Sequence, residues 1–333
     1  MRVALVLGSG GARGYAHIGV INELCDRGYE VVGVSGSSMG ALVGGLHAAG
    51  KLDDFAEWAR TLTQRAVLRL LDPSISAAGV LRAGKILDAV RDILGEALIE
   101  DLPIPYTAVA TDLIAGKSVW LQRGPVDEAI RASIAIPGVI APHVLDGRLL
   151  GDGGILDPLP MAPIAAVNAD LTIAVSLAGS EAGGVEAEPD TGAKSRPTTE
   201  LLNRVLRSTT ALMDTVVPSR SGAAAEPDPD DAEDGGDPDG ADDGDGGDDA
   251  ASPLVPREES AEVEPVVPKL GSFEVMNRTI DIAQAALARH TLAAYPPDRL
   301  IEVPRSVCRS LDFHRAAEVI DVGRELAARA LDG

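Results

Sequence analysis

The first fifty residues repeat one unit twice, and that repetition limits the fold more than any other feature of the chain. Val3-Ala4-Leu5-Val6-Leu7 is a continuous apolar run, as expected of a central strand covered on both faces. It leads into Gly8-Ser9-Gly10-Gly11-Ala12-Arg13-Gly14, and an amphipathic helix follows from about Tyr15 to Arg27, stopped by Gly28. A second β-branched run, Val31-Val32-Gly33-Val34, then enters Gly36-Ser37-Ser38-Met39-Gly40 and a small-residue helix to about Ala49, with Gly50 as its stop. Two such units in succession specify a right-handed α/β start on parallel strands. Both glycine loops then lie at the carboxyl ends of their strands, the edge where open parallel sheets bind ligands, so they are predicted to face one pocket.

The second loop is a G-x-S-x-G frame with Ser38 at its centre, at a strand-to-helix turn. In a nucleophile elbow the serine backbone is strained and side chains at Gly36 and Gly40 would strike neighbouring backbone. The helix from Met39 points its N–H groups back at the serine, a favourable place for developing negative charge. The alternative is a plain Gly/Ser-rich turn between a buried strand and helix. Three readings compete for the first loop. A dinucleotide fingerprint fails on frame, because Arg13 stands where the third glycine belongs, and a P-loop fails because no Gly-Lys-Ser/Thr follows. The third is an oxyanion hole lined by the N–H groups of Gly10, Gly11 and Ala12. Arg13 then either brings positive charge to a phosphate or braces the loop.

Beyond the first units, residues 53 to about 94 read as mostly helical: Leu52-Asp53-Asp54 caps a helix through Leu62, Arg65 to Leu71 continues the pattern, and Lys85 to Leu94 is amphipathic, ending at Gly95. Arg65, Val67, Leu68, Leu70 and Leu71 form an apolar and basic cluster, read either as a cap over an acyl groove at a lipid surface or as helices covering a sheet face. Strands are predicted at Ile104 to Thr111, Lys117 to Leu121, Arg148 to Leu150, Leu171 to Leu177 and Leu300 to Val303. Helices are predicted from Pro125 through Ile134, Thr199 to Thr215, Ser272 to Ala294 and Phe313 to Leu331. Asp152-Gly153-Gly154 at a strand end is either a turn or a buried carboxylate with open access to one neighbour.

The net charge of −22 is concentrated: residues 221–250 hold thirteen acidic and no basic residues, leaving 38 acids against 29 bases elsewhere. The balance outside that tract is an ordinary surface and offers nothing to nucleic acid. Residues 218–268, rich in Asp, Gly, Pro and Ala, bury too little apolar surface to fold and keep no calcium-loop register, so a disordered acidic insert of unassigned partner is expected. The alternation resumes after it, so the insert interrupts one domain made of 1–217 and 269–333. Cys25 and Cys308 give neither a disulfide framework nor metal spacing, the N-terminus is too short for a signal segment, and no apolar run approaches the ~20 residues of a membrane span. A cytoplasmic protein with at most peripheral membrane contact, and no metal or cofactor, is expected.

A serine nucleophile needs a partner to take its proton. An α/β-hydrolase triad would use a late histidine, His290 or His314, but that fold sets several strands before its elbow and only one βα unit precedes Ser38. The alternative is a dyad in which Asp152, made basic enough by burial and short contact, takes the proton directly. Gly10-Gly11-Ala12-Arg13-Gly14, Gly36-Ser37-Ser38-Met39-Gly40 and Asp152-Gly153-Gly154 resemble, in order and spacing, the patatin-like phospholipases, most nearly their bacterial branch similar to the neuropathy-target-esterase catalytic domain. Ala132 to Gly138 and Asp312 to Ala316 look like further blocks of that family. The resemblance covers nearly everything except the insert, with Ser9 standing where many members have another glycine. It implies a three-layer α/β sandwich with a mostly parallel central sheet and helices on both faces. It also implies a Ser38–Asp152 dyad, an oxyanion hole at Gly10 to Ala12 and metal-free hydrolysis of lipid esters, phospholipid or lysophospholipid, at a membrane or micelle surface. Arg13, Gly14, Gly36, Gly40, Gly153 and Gly154 would support these groups. The rival is a non-catalytic acyl-lipid-binding or regulatory protein that keeps the fold, and transfer of the acyl group to another alcohol would use the same acyl-enzyme.

Overall fold

The computed structural model describes residues 1–70, 84–137, 139–179 and 272–333. The acidic tract, the helix predicted at Thr199 to Thr215, and Leu71 lie outside the described residues. The expected α/β architecture is present, with helices on both faces of an eight-stranded sheet in the order β5-β6-β3-β2-β1-β7-β8, and β4 paired to β3. The strands are β1 (Arg2–Leu7), β2 (Glu30–Ser37), β3 (Tyr106–Asp112), β4 (Lys117–Leu121), β5 (His143–Leu145), β6 (Arg148–Asp152), β7 (Leu171–Gly179) and β8 (Arg299–Pro304). Strands β3, β2, β1, β7 and β8 run parallel, while β4, β5 and β6 are antiparallel additions at one end.

Strand β1 is buried on both faces, as its unbroken apolar run requires. Val3, Leu5 and Leu7 point into the larger core, and Ala4 and Val6 into a smaller one with Leu159, Met161 and Ala174. The larger core lies under α1 (Ala16–Asp26), α2 (Met39–Ala48), α3 (Leu52–Arg60), α5 (Gly84–Leu94), α6 (Val126–Ser133) and α8 (Ala316–Asp332); a short α4 (Gln64–Leu70) lies between α3 and α5 in the chain. The smaller core takes Ala288 and Leu292 of α7 (Ser272–Ala294) on the opposite face. No helix among the described residues is long and apolar enough to cross a membrane.

Sequence and structure differ mainly at boundaries. The predicted last helix begins with a 3₁₀ turn at Phe313–Arg315 and becomes α-helical only at Ala316, and the strand ending at Leu150 continues to Asp152. Strand β5 has no counterpart among the predicted strands: three residues are too few for alternation to show, and it exists because β6 offers it an edge.

Helices α1 and α8 cross at two glycines. A Cβ on Gly19 would enter the carbonyl of Ile320, and one on Gly323 would enter the carbonyl of Ala16. Arg27, held by Glu23 of α1 at 2.7 Å, extends the contact to Asp332 of α8 at 2.6 Å. Gly19→Ala is expected to destabilise the protein by about 3 kcal/mol, because the added methyl meets backbone that cannot swing aside as a side chain would. A lower midpoint in urea denaturation checks this.

Strand β3 is shared among three neighbours. β4 occupies one edge of it from Ala108 to Asp112. The other edge is divided: β2 takes Tyr106 to Val109, and β6, approaching from the opposite direction, takes Ala110 to Asp112. The carboxyl ends of β2 and β6 therefore meet head to head, with Ser37 opposite Val109 and Asp152 opposite Ala110.

Candidate active site

That meeting brings Ser38, one residue past β2, against Asp152, the last residue of β6. The Ser38 hydroxyl donates to Asp152 Oδ2 at 2.5 Å, and both residues are 3% exposed. Ser38 has φ 55° and ψ −122°, a left-handed conformation a non-glycine residue adopts only under constraint. The constraint is visible at the flanking glycines. A Cβ on Gly40 would enter the carbonyl of Leu7, and one on Gly36 the carbonyl of Gly40, so β1, β2 and α2 close together only because these positions carry no side chain. Gly14 packs in the same way on the Met39 side chain.

Burial pushes the Asp152 carboxyl up from its ordinary 3.8 to about 6, against the opposing hydrogen bonds from the Ser38 hydroxyl and the Gly154 N–H. The Gly154 N–H reaches Asp152 Oδ1 at 2.7 Å, so each carboxylate oxygen has one donor and the side chain's direction is fixed. A Cβ on Gly153 would enter the Val109 carbonyl, and one on Gly154 would lie 2.6 Å from Ser9 Oγ and Gln284 Nε2. Both glycines of this motif thus let the turn sit directly on the sheet and on the first loop.

The first loop is tied down from several sides. Gly8 N–H donates to Val175 O, Ser9 N–H to Pro158 O, and Ser9 Oγ to Gln284 Oε1. Arg13 is almost fully buried and braces the loop: its Nε donates to Gly10 O at 3.2 Å, and its Nη2 reaches Asp281 at 3.1 Å and Ser310 Oγ at 3.4 Å. Two of its three guanidinium nitrogens are thus engaged within the protein, which favours the bracing alternative over a phosphate contact. The expectation that three N–H groups stand open is corrected at Ala12, whose N–H donates to Ser310 O at 2.9 Å. No acceptor among the described residues takes the N–H of Gly10 or Gly11. Sequence reading missed Ser310, because no local pattern marks a carbonyl that matters through a contact with the other end of the chain.

Beside Ser38 opens a chamber lined almost wholly by apolar side chains, with Gly11, Ser38, Met39, Leu42, Phe55, Trp58 and Phe313 among its lining residues. Leu62, Val67 and Ile86 also line it, so the helices after α2 contribute a wall as well as covering the core. Val67 thus lies on the chamber, while Leu71 and the side chains of Leu68 and Leu70 lie outside the described residues.

No histidine among the described residues hydrogen-bonds Ser38. His17 is fully buried with Nε2 on Gly8 O at 2.8 Å, and burial lowers its pKa to about 4, so it is a neutral prop under the first loop. His143 is engaged by Glu128 and Arg131. Among the described residues no cluster of His, Cys, Asp or Glu could hold a metal ion.

Comparison with known proteins agrees with the motifs. The patatin-like phospholipase profile matches residues 5–165. An NTE family protein of Mycobacterium tuberculosis is 66% identical over 347 residues, covering 99% of this chain and 91% of that one. Patatin-like phospholipase domain-containing protein 6 of Mus musculus is 33% identical over 187 residues, which is 54% of this chain and 14% of that one. The crystal structure of VipD from Legionella pneumophila aligns with TM-score 0.44 and 14% identity over 99% of this chain and 66% of that one. With a relative this similar over almost its whole length, and with the elbow, glycine loop and Asp-Gly-Gly turn in family order, the chain belongs to the patatin-like phospholipases, a family of lipid acyl hydrolases, and within them to the NTE group.

Proposed function

We propose that this protein is a serine hydrolase of lipid carboxylic esters, phospholipid or lysophospholipid, working through Ser38 and Asp152. The observation that carries this reading is the 2.5 Å contact between the two side chains, with Ser38 itself lining an apolar chamber. The chamber takes an acyl chain and leaves its ester carbonyl beside Ser38. Asp152 accepts the Ser38 proton as Oγ attacks that carbonyl, and the tetrahedral oxyanion is held by the N–H groups of Gly10 and Gly11. Asp152 returns the proton to the leaving alcohol, producing the acyl-serine. Water, deprotonated by Asp152, then attacks the acyl-serine, releasing the fatty acid and restoring the Ser38 hydroxyl. Free thiols at Cys25 and Cys308 suit a reducing, cytoplasmic setting, with substrate drawn from membrane or micelle surfaces.

The test is fatty-acid release from phospholipid and lysophospholipid vesicles by the intact protein across pH 4 to 8. Asp152 must be ionised to act as base, so kcat/KM is expected to rise with pH through about 6 and then level off. Asp157, half-buried nearby in sequence, is also pushed up to about 6 by burial, so the profile of Asp157→Asn is the control and should keep the same rise. A protein that releases no fatty acid and takes no fluorophosphonate label on Ser38 would sink the reading.

A further inference from the structure

The head-to-head meeting of β2 and β6 solves one problem and creates another. Because the two strands share an edge of β3 without bonding to each other, the ladder is interrupted where Ser38 and Asp152 must be most tightly held. Ser38 has turned out of the sheet, which strands its N–H, and the Val109 carbonyl lies at the gap. Buried backbone groups of this kind need partners. A hydroxyl is the smallest group that can serve a donor and an acceptor at once.

Ser133, the last residue of α6 and fully buried, is placed to do this. Its Oγ accepts from Ser38 N–H at 2.9 Å and donates to Val109 O at 2.6 Å. A second hydroxyl acts on the other side of the gap, where Thr111 Oγ1 donates to the Asp152 carbonyl at 2.9 Å. Asp152 N–H goes to Ala135 O at 2.9 Å, so the segment just after α6 also holds the carboxylate's own residue. The backbone of each partner in the Ser38–Asp152 contact is thus tied to β3 by one side-chain hydroxyl.

We propose that Ser133 and Thr111 are positioning residues that set the Ser38–Asp152 distance, an inference that rests on the dyad reading of the site. Neither touches the reacting atoms; both act through the backbone of a residue that does. Displacing a reacting group by about 1 Å costs on the order of 10² in rate, and a 2.5 Å hydrogen bond has no slack to absorb such a shift.

The experiment compares wild type with Ser133→Ala, Thr111→Val and Thr111→Ser. It uses a short-chain p-nitrophenyl ester for kcat and KM, a fluorophosphonate for the labelling rate of Ser38, and thermal denaturation for the fold. Thr111→Val keeps shape and drops the hydroxyl, whereas Thr111→Ser keeps the hydroxyl. Ser133→Ala and Thr111→Val are expected to lower kcat by about 10- to 100-fold with KM unchanged, and labelling should slow in parallel. Thr111→Ser should label and turn over much nearer the wild-type rate. Wild-type kcat and labelling in both hydroxyl deletions, with only thermal stability reduced, would overturn the proposal. So would a Thr111→Ser protein as slow as Thr111→Val, because the methyl and not the hydroxyl would then be what matters. Should Ser133→Ala fail to fold, the Thr111 pair decides. A wild-type protein that neither turns over nor labels defeats the dyad reading itself, which is a different result from normal wild-type labelling with indifferent variants.

Discussion

Ser38→Ala is expected to lower fatty-acid release by about 10⁶-fold, the scale seen when the nucleophile of a serine hydrolase is removed. Among the described residues, neither hydroxyl beside it is placed to replace it. Ser133 Oγ is engaged by the Ser38 N–H and the Val109 carbonyl, and Ser37 Oγ is sealed in the interior beside Gly153 with no polar partner. Ser38 is one lining residue of a chamber whose other walls are almost all apolar, so binding of the protein to lipid vesicles should be unchanged while turnover and fluorophosphonate labelling vanish. Activity above a tenth of wild type would move the nucleophile elsewhere.

Asp152→Asn is expected to act in opposite directions on activity and stability. Loss of the general base should reduce kcat by about 10²–10⁴-fold. The amide still fits: its oxygen can accept from Gly154 N–H and its nitrogen can donate to the Ser38 hydroxyl, so the fold should not suffer. The wild-type carboxyl is held in the folded protein at about 6 against an ordinary 3.8, so its ionised form is disfavoured by folding. The native state therefore binds this proton more tightly than the unfolded chain. Stability from this group is full below 3.8 and is lost as pH rises through 6. The difference of about two units corresponds to roughly 3 kcal/mol at pH 7, which the asparagine avoids. Urea denaturation of both proteins should show Asp152→Asn the more stable at pH 7, with the gap closing as pH falls toward 4. An asparagine variant less stable at pH 7 would mean the carboxylate is better solvated than its burial implies.

What was legible in the sequence is what is local. The run from Val3 to Leu7 had to be a doubly covered strand, and glycines on either side of Ser38 had to mark close backbone approach; both conclusions need only a handful of adjacent residues. The Asp-Gly-Gly stretch suits a plain turn or a buried carboxylate alike, and its pairing with Ser38 is what the resemblance of the three ordered motifs to the family implies. Long-range register was not legible. Nothing in Tyr106 to Asp112 announces that this strand is shared between two others along one edge, since its residues are buried whichever neighbours it has. For the same reason Thr111 reads as an ordinary β-branched strand residue and Ser133 as a small helical one. Ala12 shows the converse: a loop that looks open in sequence is partly closed by Ser310, and no spacing rule connects positions so far apart.

The Ser310 contact also bears on what the family likeness means. The matched region, 5–165, contains Ser38, Asp152 and every glycine that lets them meet. It does not contain Ser310 on Ala12, Asp281 on Arg13, or the Phe313 ring that walls the chamber against Tyr15. A chain cut after residue 165 would therefore lose the contacts that tie down the first loop and one wall of the chamber.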